Sequence, residues 1–227
     1  MARGFDAVSL DVGGVLVVPD HGVLAGTLER LGIAHDRARF GVGHYLAMAA
    51  MDRATSDAED FTDYLWGFAA AVGVPVEEQL RAHDELGAVL RTPVWCQPVP
   101  GSRAGLARLV TQGVRLAVTS NSDGTVADLL RRHEWLQVGD GPGASAEVIT
   151  DSGIVGAAKP DPRVFQATVD ALGLPAERIL HVGDSVHYDV EGATAGGLQC
   201  VHMDPFGVCP ATGHRHVRTL GDVLDVA

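Results

Sequence analysis

The sequence predicts an α/β protein in which a Rossmann-like parallel sheet core carries an inserted α-helical subdomain. A short apolar run, residues 5–10, ends in Asp11 and a glycine pair, as a buried strand followed by a tight turn does. Residues 22–90 then keep helical spacing without convincing strands. Beyond Gly101, strands and helices alternate. That alternation is typical of a parallel sheet with helices on both faces.

The elements follow from apolar spacing, taken in chain order. The helical segment shows four stripes, which we interpret as the core of a helix bundle: Leu24, Leu28 and Leu31; Tyr45, Met48, Ala49 and Met51; Phe61, Tyr64, Leu65 and Phe68; Leu80, Leu86 and Leu90. Beyond it we predict a helix through 106–110, strand 114–119, helix 126–132, a strand near 148–149, a helix after Pro162, strand 179–182, helix 188–195 and strand 198–202. The predicted organisation is a core of residues 1–18 and 96–227 with a helical subdomain of residues 19–95.

Composition limits the function classes. The net charge of −12 argues against a nucleic-acid partner, since such surfaces need clustered Lys and Arg. An anionic substrate would therefore need a local metal or cation. Three scattered cysteines do not make a disulfide framework, and Asp11 interrupts the apolar N-terminal stretch. We accordingly expect a cytoplasmic protein without a membrane partner, as a monomer or homodimer.

Polar residues follow the predicted strands where each one ends. Asp11 follows the first strand, Ser120 and Asn121 follow the second, and Asp184 follows a later one, with Asp189 five residues beyond. The carboxyl ends of parallel strands face one crevice, where α/β proteins bind ligands. Each of these groups alone is typical of a turn or helix cap, but together they predict one site.

Lys159 joins this set through composition. It is the one lysine among 17 basic residues, the other 16 being arginine. A chain so rich in arginine uses it wherever a surface cation suffices. We therefore predict that Lys159 occupies a confined place that needs a compact ammonium group.

These segments resemble the motifs of the haloacid dehalogenase superfamily across essentially the whole chain. The matching stretches, in order, are Leu10-Asp11-Val12-Gly13-Gly14-Val15-Leu16; Thr119-Ser120-Asn121; Lys159-Pro160-Asp161-Pro162; and Val182-Gly183-Asp184-Ser185 through Asp189. The third and fourth are specific as a pair, whereas the second alone says little. The helical insertion resembles the α-helical cap of the family's first type.

The resemblance implies a Mg²⁺-dependent hydrolase that acts on a small phosphorylated metabolite, a phosphomonoester, through an aspartyl-phosphate intermediate. Asp11 would attack phosphorus, and Lys159 would neutralise charge while Ser120 donates a hydrogen bond to a phosphoryl oxygen. Asp11, Asp184 and the backbone carbonyl of Gly13 would supply the oxygen ligands that Mg²⁺ prefers.

The remaining implied roles concern the surroundings of the phosphate. Gly13, Gly14 and Asn121 would complete the substrate-binding set with Ser120 and Lys159. Asp189 would be an outer partner of the metal, although a first-turn acid on a helix is an almost equal interpretation.

Gly13 departs from the family's phosphatases, which usually carry a second aspartate two residues after the nucleophile. That aspartate protonates the leaving group, a contribution typically worth 10²–10⁴ in rate. Either the leaving group needs no acid, or another residue substitutes, or the protein binds a phosphorylated ligand and turns it over poorly. As substitutes we consider Asp20 and His21, and, less favoured, His44 and Asp36.

Two other activities of the superfamily are weaker alternatives. A 2-haloacid dehalogenase also lacks the second aspartate, but it needs no metal, and Gly183-Asp184 through Asp189 resembles the metal-binding form. A carbon–phosphorus hydrolase would need a cap lysine for its Schiff base, and residues 19–95 contain none.

Histidines and cysteines elsewhere suggest structural roles. Cys200, His202, Cys209, His214 and His216 match no zinc finger or ribbon spacing, so a zinc site is disfavoured. His181, on a predicted strand, is interpreted as a core histidine.

Overall fold

The computed structural model describes residues 4–54 and 61–226. Within these ranges, the strands and α-helices in chain order are β1 (Ala7–Leu10), β2 (Val17–Pro19), α1 (His21–Arg30), α2 (Phe40–Ala54), α3 (Thr62–Ala71), α4 (Gln79–Val89), β3 (Trp95–Pro98), α5 (Ser102–Thr111), β4 (Arg115–Ser120), α6 (Val126–Arg132), β5 (Leu136–Val138), β6 (Ala144–Ala146), β7 (Val148–Asp151), α7 (Ser152–Val155), α8 (Pro162–Leu172), β8 (Ile179–Gly183), α9 (Gly192–Ala195), β9 (Gln199–Met203) and β10 (Arg215–Val217). A π-helical turn, Val186–Glu191, leads directly into α9.

A six-stranded sheet forms the core, in the order β10-β9-β8-β1-β4-β7, and every neighbouring pair is parallel. The central strands β1 and β8 are buried along their whole length. Apolar residues on both faces explain this burial, since helices cover a parallel sheet on both sides. The predicted α/β fold with a parallel sheet is therefore confirmed.

Strand register brings the polar residues to one edge of this sheet. Leu10, the last residue of β1, pairs with Val118 on one side and Val182 on the other. The residues that follow these three positions therefore lie at the same level, near the carboxyl edge of the sheet. The backbone N–H of Asp11 still donates to the carbonyl of Val182, at 2.8 Å, which fixes the backbone of Asp11 against β8.

The chain enters and leaves the helical region through two paired strands. Strands β2 and β3 are antiparallel, with Val17 opposite Pro98. Between them, α1 to α4 bury their own apolar cluster, whose largest fully buried members include Tyr64, Phe40 and Phe68. The predicted helical insertion is confirmed. No helix in the described ranges is long and apolar enough to cross a bilayer.

Candidate active site

Lys159 lies between two carboxylates at the carboxyl edge of the sheet. Its Nζ is 2.9 Å from Asp11 Oδ2 and 2.6 Å from Asp189 Oδ1. The lysine is only 2% exposed. Burial alone would lower its pKa, but the charges of Asp11 and Asp189 outweigh burial and raise it. The ammonium group is therefore held in its charged form beside Asp11.

Asp11 and Asp189 respond differently to the same lysine. Burial raises the pKa of Asp11, an effect that Lys159 partly offsets. Burial also acts on Asp189, but Lys159 and a hydrogen bond from His181 outweigh it and lower the pKa of that carboxyl. Asp189 also accepts the backbone N–H of Ser185, at 3.1 Å. Asp189 does lie in the first turn of the helix 186–191, as one of its two interpretations held, and its buried carboxylate contacts Lys159.

Asp184 brings a third carboxylate to this place. Oxygen atoms of Asp11, Asp184 and Asp189 all lie within 4.8 Å of one another, and all three residues are buried. Burial, followed by the charges of Asp189 and Asp11, raises the pKa of Asp184 well above its ordinary value. When all three carboxylates are ionised, their negative charge exceeds the positive charge of the single ammonium group beside them. Their hard oxygen atoms and their crowding suit a divalent cation such as Mg²⁺.

Gly14 is required for this approach of the chain. Its φ is +62°, and a Cβ atom there would lie 2.0 Å from Asp184 Oδ2. Any side chain at this position would displace the carboxylate from the cluster. The glycine pair predicted to form a turn therefore admits Asp184 to the site.

Asn121 and Ser120 complete the edge formed by β4. The side chain of Asn121 accepts the backbone N–H of Lys159, at 2.7 Å, and donates to its carbonyl, at 3.1 Å. This two-bond clamp fixes the lysine backbone. Ser120 is buried at the end of β4 and lines the same cavity as Asp11, Gly13 and Lys159.

The cap contributes His44, from helix α2. Its Nε2 lies 2.9 Å from Asp184 Oδ2 and its Nδ1 lies 3.0 Å from the Tyr64 hydroxyl. Burial lowers the pKa of His44 to about 3. The apolar spacing of residues 45–51 did not predict this contact. Which side chain of α2 faces the sheet depends on how the helix is rotated about its axis in the folded protein.

The favoured substitute acids lie elsewhere. Asp20 caps the start of α1 by accepting the Val23 backbone N–H, and the ring of His21 packs edge-on against Phe40. Asp36 accepts the Ala38 backbone N–H. Asp20, His21 and Asp36 are absent from the lining of the cavity around Asp11, whereas His44 belongs to it.

A buried polar chain runs beneath these residues. His181, fully buried as predicted for a core histidine, contacts Asp189 Oδ1 at 3.0 Å and the Ser9 hydroxyl at 3.2 Å. Hydroxyl contacts of 2.7–2.8 Å then continue through Thr119, Thr168 and Thr150. Sequence reasoning missed this chain, although polar residues within otherwise apolar strands were its visible sign.

The cavity itself has a volume of about 550 Å³. The sheet edge supplies its polar floor, including Asp11, Ser120 and Lys159. Residues of the helical segment and of β3 supply a largely apolar wall: His44, Met48, Met51, Phe61, Leu90 and Trp95. Arg91 is a second cation among the lining residues, and its position was not predicted.

Comparison with known proteins decides the family. The sequence model of the haloacid dehalogenase-like hydrolases matches residues 5–197. The chain belongs to this family. A phosphatase of Mycobacterium tuberculosis is 28% identical over 187 residues, which cover 82% of this chain and 80% of that protein.

Solved structures of haloacid dehalogenase-like proteins share the fold. The hydrolase YfnB of Bacillus subtilis, solved bound to magnesium, aligns with a TM-score of 0.62 at 16% identity and covers 99% of both chains. The L-2-haloacid dehalogenase of Xanthobacter autotrophicus aligns with a TM-score of 0.57 at 19% identity and covers 97% of both. At these identities the likeness shows the fold alone.

Gly13 sets this haloacid dehalogenase-like hydrolase apart from the phosphatase pattern, and Trp95 adds to the difference. A Cβ atom built on Gly13 would lie 3.1 Å from the Trp95 ring. The ring therefore occupies space beside the position where an acid would stand. A side chain at position 13 would therefore require the Trp95 ring to move by a few tenths of an ångström.

Proposed function

We propose that the protein is a Mg²⁺-dependent phosphatase that hydrolyses a small phosphomonoester through an aspartyl phosphate on Asp11. The observation that carries the proposal is the distance of 2.9 Å between Lys159 Nζ and Asp11 Oδ2, with Asp184 beside them. An ammonium group here neutralises both the nucleophile and an incoming phosphate. The membership of the family and the likeness to a mycobacterial phosphatase support the same activity.

The proposed reaction has two displacements at phosphorus. A carboxylate oxygen of Asp11 attacks phosphorus, the bond to the ester oxygen breaks, and that oxygen leaves as an alkoxide that takes its proton from solvent water. Water then attacks the acyl phosphate, the new bond to phosphorus replaces the bond to Asp11, and inorganic phosphate and the carboxylate are released. Lys159 and the Ser120 hydroxyl hold the phosphoryl oxygens in both steps.

Asp11, Asp184 and the carbonyl of Gly13 are the residues that would hold the metal. When bound, Mg²⁺ supplies charge neutralisation and orients the phosphate. Asp189 lies close enough to act on the metal from outside, while its contact with Lys159 gives it a positioning role. Residues 19–95 would serve as the cap that selects the substrate.

Gly13 favours substrates with good leaving groups. No carboxylic acid stands two residues after Asp11, and Trp95 fills part of the adjacent space. The leaving group of an acyl phosphate or a sugar 1-phosphate departs readily without a proton. Hydrolysis of an alkyl phosphate would instead be slower by the factor of 10²–10⁴ that a general acid typically contributes. A phosphate-binding protein with attenuated catalysis is the second candidate, and the same missing acid favours it.

Steady-state assays separate the two candidates. Turnover of para-nitrophenyl phosphate, acetyl phosphate and alkyl phosphates would be measured with Mg²⁺ and with EDTA. We expect Mg²⁺-dependent turnover that is fastest for the activated esters and is abolished by Asp11→Asn. Tight binding of these esters without any turnover would instead establish the binding protein.

A further inference from the structure

A second group of side chains that could ligate a metal lies on β9, on the edge strand β10 and on the loop between them. His202 on β9 pairs in register with His216 on β10, so their side chains share a face of the sheet. The ring of His214 stacks on that of His216, with centroids 4.4 Å apart. Cys209 comes from the loop that joins the two strands.

The four side chains converge on one point. Each of His202, Cys209, His214 and His216 offers a ligand atom, and these atoms lie within 4.8 Å of one another. His202 Nδ1 and His214 Nε2 are 3.0 Å apart, and Cys209 Sγ is 3.9 Å from His214 Nε2. Around tetrahedral zinc, two nitrogen ligands would lie roughly 3.3 Å apart and a sulfur and a nitrogen roughly 3.6 Å apart. The His202–His214 and Cys209–His214 pairs therefore lie within a few tenths of an ångström of these separations.

Neighbouring groups hold the ligands in orientation. His202 Nε2 lies 2.9 Å from the backbone carbonyl of Asp184, to which only a protonated nitrogen can donate. Nδ1, the other ring nitrogen, is directed at the cluster and lies 3.0 Å from His214 Nε2. His216 Nδ1 lies 3.4 Å from the Asp204 carboxylate, which is the carboxylate–histidine pairing that supports metal ligands.

Asp204 also shapes the loop that carries the cysteine. Its two carboxylate oxygens accept the backbone N–H groups of Val208 and Cys209, at 2.9 and 3.2 Å. The loop is thus fixed before any metal binds. A divalent ion bound by one thiolate and three neutral imidazoles would carry one net positive charge. The carboxylate of Asp204 lies beside this position and would partly neutralise that charge.

We propose that His202, Cys209, His214 and His216 form a structural zinc site, separate from the carboxylate cluster of the active site. Three imidazoles and one thiolate fill all four positions of a tetrahedral ion and leave none for substrate. Soft nitrogen and sulfur ligands favour Zn²⁺ over Mg²⁺, whereas the buried carboxylates favour the opposite. The bound ion would tie β10 and its loop to the sheet edge.

Cobalt titration tests the site directly, because tetrahedral Co²⁺ absorbs strongly in the visible and a thiolate ligand adds a charge-transfer band. Chelator-treated full-length protein would be titrated with Co²⁺ in excess Mg²⁺ to occupy the carboxylate cluster. We expect one equivalent to produce both signals and Zn²⁺ to displace it. Cys209→Ser should lose the charge-transfer band, and His216→Gln, at an exposed position, should lose the tetrahedral spectrum.

The other two cysteines provide matched controls. Cys96 contacts Asp20 and Cys200 contacts the backbone of Asp189, so both lie outside the cluster. Cys96→Ser and Cys200→Ser should keep both signals. A weak octahedral spectrum in the wild type, or a charge-transfer band that survives in Cys209→Ser, would overturn the proposal. A Co²⁺ spectrum lost in Asp184→Asn but kept in His216→Gln would assign the ion to the active site instead and likewise overturn it.

Discussion

At the scale of single residues, the site depends on a buried lysine shared by two carboxylates. Lys159 contacts Asp11 and Asp189, and the backbone on either side of its side chain is clamped by Asn121. The composition argument predicted a confined ammonium group, and the 2% exposure of Lys159 agrees with it. A planar guanidinium could not keep both contacts in this space without moving one carboxylate.

Lys159→Arg is therefore expected to lower kcat by roughly 10²–10³, the usual cost of losing one preorganised electrostatic contact in a transition state. Lys159→Met should be at least as damaging, since it also leaves Asp11 and Asp189 without their cation. Steady-state kinetics in saturating Mg²⁺ would measure both. Arg163→Lys is the matched control, because Arg163 pairs with Asp161 at the surface, and it should retain full activity.

Gly13 and Trp95 form a second residue-scale pair. Because a Cβ on Gly13 would lie 3.1 Å from the Trp95 ring, Gly13→Asp alone should cost about 1–3 kcal/mol of stability through overpacking. In a Trp95→Leu background the new carboxyl has room. We expect Gly13→Asp to raise turnover of alkyl phosphates there by up to 10²–10⁴ relative to Trp95→Leu alone.

One outcome with these variants would contradict the prediction. If the double variant folds, binds phosphate and shows no gain with any of several alkyl esters, the missing acid is not what limits turnover. The phosphate-binding candidate would then be preferred over an ordinary phosphatase.

At the scale of elements, one helix makes several contacts between cap and core. Helix α2 carries His44, which contacts Asp184, and Tyr45, whose hydroxyl donates to the Gly14 carbonyl at 2.8 Å. Two turns later, Asp52 accepts the Ser185 hydroxyl and the backbone N–H groups of Val186 and His187. The face of α2 that meets the core is therefore polar, and it reaches the loop that follows β8.

Elements differ in how far the sequence could predict them. The strands that lead to Asp11 and Asp184 were predictable because short, mainly apolar runs ended in polar residues. Strand β10 was missed because three residues flanked by glycine and polar residues carry no periodic signal. Leu80 was wrongly assigned to the helix-bundle core; it is 62% exposed, since only the tertiary contacts of α4 decide which stripe is buried.

Asp52→Ala tests the contact between α2 and the β8 loop. Removal of the carboxylate leaves three donors without their acceptor, so we expect a loss of about 1–3 kcal/mol in unfolding free energy. A raised KM is also expected, because the Ser185 hydroxyl in turn accepts the Tyr188 backbone N–H and orders the turn after Asp184. Denaturant unfolding and steady-state kinetics would measure the two effects.

Asp84→Ala is the control for that experiment, since Asp84 is an exposed cap acid whose partner is the neighbouring His83. It should change the free energy of unfolding by no more than about 0.5 kcal/mol, as is usual for surface substitutions, and it should leave KM unchanged. Equal losses in Asp52→Ala and Asp84→Ala would mean that the contact with the β8 loop contributes nothing specific.

At the scale of the whole molecule, charge balance separates the surface from the site. The chain carries a net charge of −12, so its general field repels an anionic substrate. Lys159 and Arg91 bring two positive charges to the lining of the cavity. Three buried carboxylates, those of Asp11, Asp184 and Asp189, lie near the ammonium group of Lys159. Sequence could predict the need for a local cation from the net charge and motif order. It could not predict the contact of His44 with Asp184, because that contact depends on how distant elements pack. The sequence did show His202, Cys209, His214 and His216 close together in the chain, but their spacing did not reveal that their ligand atoms lie within 4.8 Å of one another.

Mg²⁺ binding should consequently stabilise the folded protein as a whole, since the unfolded chain cannot assemble the three carboxylates. At a Mg²⁺ concentration of 100 Kd the expected gain is about 2.7 kcal/mol. For a chain of this size, that gain corresponds to a rise in Tm of roughly 5–10 °C. Asp184→Asn should abolish the Mg²⁺-dependent rise. It should not lower the metal-free Tm, because it removes a buried charge that Asp189 and Asp11 crowd.

Asp170→Asn, on the exposed face of α8, should keep the full response. A Tm that rises equally in Asp184→Asn would show that Mg²⁺ binds elsewhere, and the carboxylate cluster would then lose its assignment as the metal site.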